Sequence, residues 1–232
     1  MMYFCYGVKN MIYSLCACVF LTIVLFAIYI GKKNKLSEEL VPNINIQSDN
    51  VSICKDMLKI IGNNHTEVAY NKDKNSNLSY YNHSKDVIIL KNNSLDSSRI
   101  TQIAHECIHT IQESKYLKAN KFFSDLQLIM FVAFFIFIIT TKINEMVLVM
   151  FQLLILIGTL FAKVVIEGDA TYRSIDLAEK YLISRVDKKE VMNYVCEMRR
   201  LIYKLMPIYY MNFYIQGMTM IIINIVIALI FR

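Results

Sequence analysis

An uncharged apolar run at residues 11–30 constrains this chain more than any other feature. An α-helix rises about 1.5 Å per residue, so a run of this length crosses the hydrocarbon layer of a bilayer, about 30 Å thick. A cleaved signal peptide is the alternative, but the run is longer than a typical signal core and lacks a small-x-small cleavage site. Cys16 and Cys18 resemble a lipoprotein site only faintly, because apolar residues continue well beyond them. We therefore expect a retained transmembrane helix.

Three further apolar stretches predict three more membrane helices. Residues 207–231 form one of them, and Pro207 stands at its start, where a helix tolerates proline. Residues 126–141 and 146–166 form the two arms of a predicted hairpin. The first arm is short and contains Gln127, so a re-entrant or shallow hairpin is the alternative to a full crossing.

Basic residues are distributed unequally about these spans. All but three of the 25 Lys and Arg fall in residues 31–125 and 163–206; the exceptions are Lys9, Lys142 and Arg232. Cytoplasmic segments next to membrane spans are enriched in Lys and Arg. The pattern predicts a multi-pass protein of the cell membrane with cytoplasmic polar regions and both termini outside.

Charge and cysteine usage exclude two other classes. The basic residues are interspersed with Asp and Glu, so the net charge of +6 does not indicate a nucleic-acid partner. Cys54, Cys107 and Cys196 show no CxxC spacing, which is typical of reduced thiols rather than of a disulfide scaffold.

The segment AHECIHTIQ, residues 104–112, holds two of the four histidines. Apolar residues recur around it at three- and four-residue spacing and predict an amphipathic helix: Ile100, Ile103, Ala104, Cys107, Ile108 and Ile111. His105, His109 and Gln112 fall together on roughly the opposite side. Two histidines four residues apart can bind one Zn²⁺, and Glu106 after the first is placed to act as general base. A chance pair of surface histidines is the alternative.

A catalytic zinc needs a third protein ligand and an open coordination position. His65 and His83 lie in loop or hairpin sequence, so a carboxylate is expected. Glu167 and Asp169 follow the third span, and the hairpin returns them to the membrane face of the HECIH helix. The alternative is a charged helix start whose acids interact favourably with the helix dipole.

The two motifs, in this order with a membrane hairpin between them, resemble the bacterial membrane-bound neutral zinc metallopeptidases of the YugP type. The likeness covers YYNHSKDVIILKNNSLDSSRITQIAHECIHTIQ and EGDATYRSIDLAEKYL, from about residue 78 to residue 182. It implies zinc ligands at His105, His109 and Glu167, and a catalytic role for Glu106. It also implies that Asp169 orients a ligand histidine.

The chain departs from that family at several positions. Ile108 stands where the family usually has glycine, and Gly168 replaces an aromatic residue. Thr171 and Tyr172 replace Ser-Arg, while the pattern E-x-D-A-S/T is kept.

Two further groups are candidates for contact with a substrate. Residues 78–81 and 86–90 predict a small β-hairpin. Its second strand could bind substrate backbone by strand addition or could be a plain half-buried strand, and its apolar core is Val87, Ile88, Ile89 and Leu90. Tyr172 and Arg173 are candidates for stabilising an oxyanion because they follow Glu167 closely.

We expect a mainly α, polytopic membrane protein of about four transmembrane helices with a small cytoplasmic α+β zincin-like domain. Its expected segments are 1–10 (outside), 11–30, 126–141, 146–166 and 207–231 (membrane), and 31–125 and 167–206 (cytoplasmic). It is expected to bind one Zn²⁺ and to cleave a peptide or membrane-protein substrate at the bilayer surface. An inactive scaffold, or a relative that keeps structural zinc, is the alternative. An intramembrane protease is disfavoured because the HECIH helix lies outside the spans.

Overall fold

The structure is a computed structural model that describes residues 2–37, 44, 46–72, 79–91, 98–140 and 145–230. The described chain is mainly helical, with one small mixed sheet. In chain order its elements are α1 (Met2–Ser37), α2 (Asn50–Ile60), β1 (Glu67–Tyr70), β2 (Tyr80–Asn82), β3 (Val87–Leu90), α3 (Arg99–Ile111), α4 (Ser114–Thr140), α5 (Glu145–Leu182) and α6 (Lys188–Ile230).

Four of these helices, α1, α4, α5 and α6, are long and apolar enough to cross a membrane. The predicted class of fold is therefore confirmed. Helix α4 begins at Ser114, well before the predicted span of residues 126–141. Of the predicted break between the hairpin arms, only Glu145 belongs to the described residues, and it is the first residue of α5.

Helix α6 begins earlier than expected. It runs from Lys188 through Pro207 to Ile230, whereas we expected a helix to begin at the proline. Proline costs a backbone hydrogen bond inside a helix. The turns before Pro207 bury a continuous apolar face, and this burial stabilises the helix despite the proline. That face includes Val191, Tyr194, Val195 and Met198.

The chain separates into two compact units. The first comprises Met1–Glu38, Lys118–Val164 and Met206–Arg232. Its buried core is entirely helical and consists of Phe134, Leu148, Val149, Leu156, Met218, Ile221, Ile225 and Ala228. Leu15 and Cys18 of α1 pack against this core. Apolar side chains also cover much of its outer surface, as expected of helices that face lipid.

The second unit comprises Glu39–Leu117 and Val165–Leu205 and holds the small sheet. Helix α2 begins after Asp49, whose Oδ1 accepts hydrogen bonds from the N–H groups of Val51 and Ser52 at 3.0 and 3.1 Å. This carboxylate caps the helix at its positive end. Helix α2 then packs against α3 and β1.

The sheet has the order β1-β3-β2. Strands β2 and β3 pair antiparallel, which confirms the predicted hairpin. Strand β3 also pairs with β1, in parallel, so it is the central strand. Of the two roles considered for Val87–Leu90, this excludes an edge strand that is open to a substrate. Strand β1 was not predicted. Its four residues, Glu67–Tyr70, are exposed except for the partly buried Val68, so the strand has little apolar burial of its own.

Helix α3 has the predicted amphipathic form. Ile100, Ile103, Ala104, Cys107 and Ile108 are buried on one side. His105 and His109, on the other side, keep 22% and 12% of their side-chain surface exposed. The helix thus buries its apolar face and leaves its histidine face within reach of solvent.

Candidate metal centre

Three side chains from two helices converge at one point of the second unit. The Nε2 atoms of His105 and His109, one turn apart on α3, lie 3.0 Å from each other. Glu167 on α5 places Oε2 3.4 Å from the first nitrogen and 3.9 Å from the second. Each of the three residues directs a metal-ligating atom into a space less than 4.8 Å across.

These distances fit a zinc ion. Tetrahedral zinc with ligands at about 2.0–2.1 Å requires ligand atoms about 3.3–3.4 Å apart. The three observed distances, 3.0, 3.4 and 3.9 Å, bracket that value. Two imidazole lone pairs this close repel each other, so a proton or a cation between them stabilises the arrangement. Two nitrogen ligands and one carboxylate oxygen are a donor set that suits zinc.

Glu106 lies beside this cluster without joining it. The backbone N–H of Tyr81, in β2, donates a hydrogen bond to its carboxylate. Burial raises the pKa of Glu106 to about 7 and outweighs the opposing effects of His105 and of that N–H. A carboxyl group with a pKa near neutrality can both take up and release a proton there, which suits a general base and acid.

His109 is held as a neutral ring. Burial lowers its pKa, and the neighbouring His105 lowers it further, although Glu167 acts in the opposite direction. A neutral imidazole is the form that ligates metals. The electrostatics of the site therefore favour the ligating state of His109.

The outer nitrogen of His109 contacts Gln112, the C-cap residue directly after α3. His109 Nδ1 lies 2.8 Å from Gln112 Oε1, and Gln112 Nε2 donates to Asp169 Oδ2 at 2.8 Å. Arg173 Nη1 donates to the same carboxylate oxygen at 3.2 Å. We expected Asp169 itself to orient a ligand histidine; the structure places Gln112 between the two.

The outer nitrogen of His105 contacts α5. Its Nδ1 lies 3.4 Å from Thr171 Oγ1, one turn beyond Glu167. The helix that carries the third ligand thus also supplies a hydrogen-bonding partner for the first histidine. Such partners fix the orientation of a ligating ring.

The other predicted site residues lie elsewhere. Arg173 is paired with Asp169, and Tyr172 is 52% exposed. At about 100° per residue, both point away from the side of α5 that bears Glu167. The oxyanion role expected of them stays a prediction. Val87–Leu90 lies in the centre of the sheet, and it is β2 that runs beside Glu106.

Three contacts of the site were not predicted from the sequence: the N–H of Tyr81, the amide of Gln112 and the hydroxyl of Thr171. Only Gln112 gave a signal, because it shares the helix face of His105 and His109. The other two depend on how β2 and α5 approach α3, which a local pattern does not show.

Comparison with known proteins gives no relative: no family, no curated protein and no solved structure matches the chain. What the described residues themselves establish is a membrane-type helical protein with a candidate metal site of His105, His109 and Glu167.

Proposed function

We propose that this protein is a membrane-bound zinc-dependent metallopeptidase that hydrolyses peptide bonds at the cytoplasmic face of the membrane. The observation that supports this most is the convergence of His105, His109 and Glu167 beside the half-buried carboxyl group of Glu106. The YugP-type family, whose motifs the sequence resembles, is the proposed affiliation.

The proposed mechanism assigns one task to each group. A zinc ion held by His105, His109 and Glu167 would act as a Lewis acid and lower the pKa of a water molecule. Glu106 takes the proton of the attacking water and passes it to the amine nitrogen that leaves. The raised pKa of Glu106 supports this transfer, because its carboxyl group holds a proton reversibly near neutral pH.

Strand β2 is the proposed docking strand for the peptide. One of its edges pairs with β3, and among the described residues no strand pairs with the other. The backbone N–H of Tyr81, in the middle of β2, donates to the carboxylate of Glu106. A peptide added along β2 would therefore lie next to the general base, with its backbone held by strand pairing.

A structural zinc site is the alternative function. Structural sites are closed by four protein ligands, whereas catalytic sites keep a position open. Within the described part of the chain, three ligand atoms meet, and 22% of the side-chain surface of Glu167 is exposed. Both facts favour a catalytic site.

The experiment is a comparison of wild-type protein with Glu106→Gln, using membrane proteomics in cells and cleavage of the resulting candidate peptides by purified protein. Loss of the general base is expected to reduce cleavage by about 10²–10⁴-fold and to leave bound zinc unchanged. Glu113→Gln, which alters an exposed carboxylate just beyond α3, is the matched control and should retain activity. Undiminished cleavage by Glu106→Gln would disprove the proposal.

A further inference from the structure

Gln112 is the point at which the two ligand-bearing helices meet behind His109. Its Nε2 donates to the backbone oxygen of Ile166 at 2.9 Å and to Oδ2 of Asp169 at 2.8 Å. Its Oε1 lies 2.8 Å from Nδ1 of His109. Gln112 thus contacts one ligand directly and the residue before another, Glu167.

The chemistry of these partners fixes which way the amide points. A backbone carbonyl and a carboxylate only accept hydrogen bonds, so both must face the NH₂ group of Gln112. The carbonyl oxygen of Gln112 must then face His109. An oxygen that only accepts requires a donor, so Nδ1 of His109 must carry the proton.

We infer that Gln112 is a positioning residue that sets the tautomer of His109 and leaves its Nε2 lone pair directed at the metal centre. This inference rests on the proposed function only in assuming that the centre takes zinc. Gln112 acts through His109 and does not itself reach the reacting atoms.

The hydrogen-bonding partners of His105 and His109 favour different tautomers of the two rings. Thr171 can donate or accept, so its hydroxyl does not decide the tautomer of His105. With the Nε2 lone pair of His109 only 3.0 Å away, His105 is best placed to carry its proton on Nε2 and to donate it across that gap. In protein stripped of metal, the two rings are therefore expected to be opposite tautomers.

The amide also ties α3 to α5 at the third ligand. Its bond to the Ile166 carbonyl involves the peptide unit that leads into Glu167. The outer pair of Asp169 and Arg173 is 42% and 45% exposed and contributes less, because water screens it. Asp169→Asn should consequently have a small effect on the tautomer of His109 and on zinc affinity. Gln112→Leu, in contrast, removes both the acceptor for His109 and the link to α5.

The test reads the tautomers directly. Protein labelled with ¹⁵N-histidine is stripped with EDTA and studied by long-range ¹H–¹⁵N correlation at about pH 8, where imidazoles are neutral. The chain has four histidines, so single substitutions of His65, His83 and His105 assign all four signals. Wild-type His109 is expected as the Nδ1–H form and His105 as the Nε2–H form. A proton on Nε2 of His109 would overturn the inference.

Two variants separate tautomer control from a general structural effect. Gln112→Leu should lose the Nδ1–H preference of His109 and bind zinc about 10–100-fold more weakly. Gln112→Glu keeps an acceptor oxygen, so it should keep the Nδ1–H form although it loses both donor contacts. Gln102→Leu, on the exposed side of the same helix, is the matched control and should change neither reading. An unchanged tautomer in Gln112→Leu would contradict the inference.

The outcomes distinguish this inference from the proposed function. Wild-type protein that takes up no zinc refutes the metallopeptidase, but its histidine spectrum still decides the role of Gln112. Wild-type protein that binds zinc, with His109 protonated on Nε2 after stripping, refutes the role of Gln112 alone.

Discussion

Oε2 of Glu167 lies 3.4 Å from Nε2 of His105, although a predicted membrane hairpin separates the two residues along the chain. This proximity is what turns a short histidine motif into a site with three convergent ligands. The proximity requires that α4 leaves one membrane face and that α5 returns to the same face. With a single crossing, the carboxylate of Glu167 would lie on the other side of the membrane.

The raised pKa of Glu106 predicts a pH-dependent stability once the protein is stripped of metal. The folded carboxyl group has a pKa of about 7, against 4.5 for an ordinary glutamate, so the folded protein binds more protons between these values. The contribution of Glu106 to the free energy of unfolding is therefore fully present below about pH 4.5. It is lost as pH rises through 7, by about 3 kcal/mol at most.

The measurement is thermal unfolding in detergent with EDTA, followed by far-UV circular dichroism because the chain contains no tryptophan. Glu106→Gln removes this titration. The melting temperature of the variant, relative to that of wild type, should therefore rise from pH 5 to pH 8. Parallel profiles for the two proteins would show that burial of Glu106 does not disfavour its charged form.

Gly217 is predicted to be essential for close packing of the membrane-type helices. A Cβ at this position of α6 would clash with Cδ1 of Leu156, which is only 2% exposed, and would lie 3.0 Å from Nε2 of Gln127. Gly217→Ala should destabilise the protein by about 1–3 kcal/mol through overpacking, despite the better helix propensity of alanine.

Gly31→Ala is the control for this substitution, because a Cβ at Gly31 of α1 meets no atom within 4 Å. It should leave the melting temperature in detergent unchanged or slightly raised. Equal effects of the two substitutions would mean that Gly217 is not a point of close helix contact.

The proposed orientation predicts that Cys196 faces the cytoplasm. Cys196 is exposed on α6, and a membrane-impermeant maleimide should label it only after the cells are permeabilised, in a chain whose other cysteines are replaced. A cysteine introduced at Lys9, on the opposite side of the first span, should be labelled in intact cells. The reverse pattern would place the metal centre outside.

Local sequence patterns predicted which helices and strands form better than they predicted which of these elements pair or pack together. The three- and four-residue spacing of apolar residues identified α3 and its histidine face. The length of the uncharged apolar runs identified the membrane-type helices. The central position of β3 was not predicted, because its second partner β1 is a short, weakly apolar strand that is paired only through long-range contacts. Pro207 was read as a helix start, although packing of the preceding turns carries α6 through it.

The candidate site shows the same division. His105, Glu106 and His109 could be identified from their spacing. The place after the hairpin left Glu167 and Asp169 as candidates for the third ligand, and the family resemblance singled out Glu167. The bond from Gln112 to the Ile166 carbonyl could not, because it depends on where α5 passes the end of α3. Hydrogen bonds that join distant elements leave no periodic trace in the sequence.

The most direct test of the central claim is the zinc content of protein purified without chelators, measured by mass spectrometry against protein concentration. Wild-type protein is expected to hold about one zinc per chain, and His105→Ala and Glu167→Ala are expected to lose most of it, because each removes one of three ligands. The control Glu113→Ala should keep it. Wild-type protein without zinc, or Glu167→Ala with undiminished zinc, would contradict a metal centre of His105, His109 and Glu167.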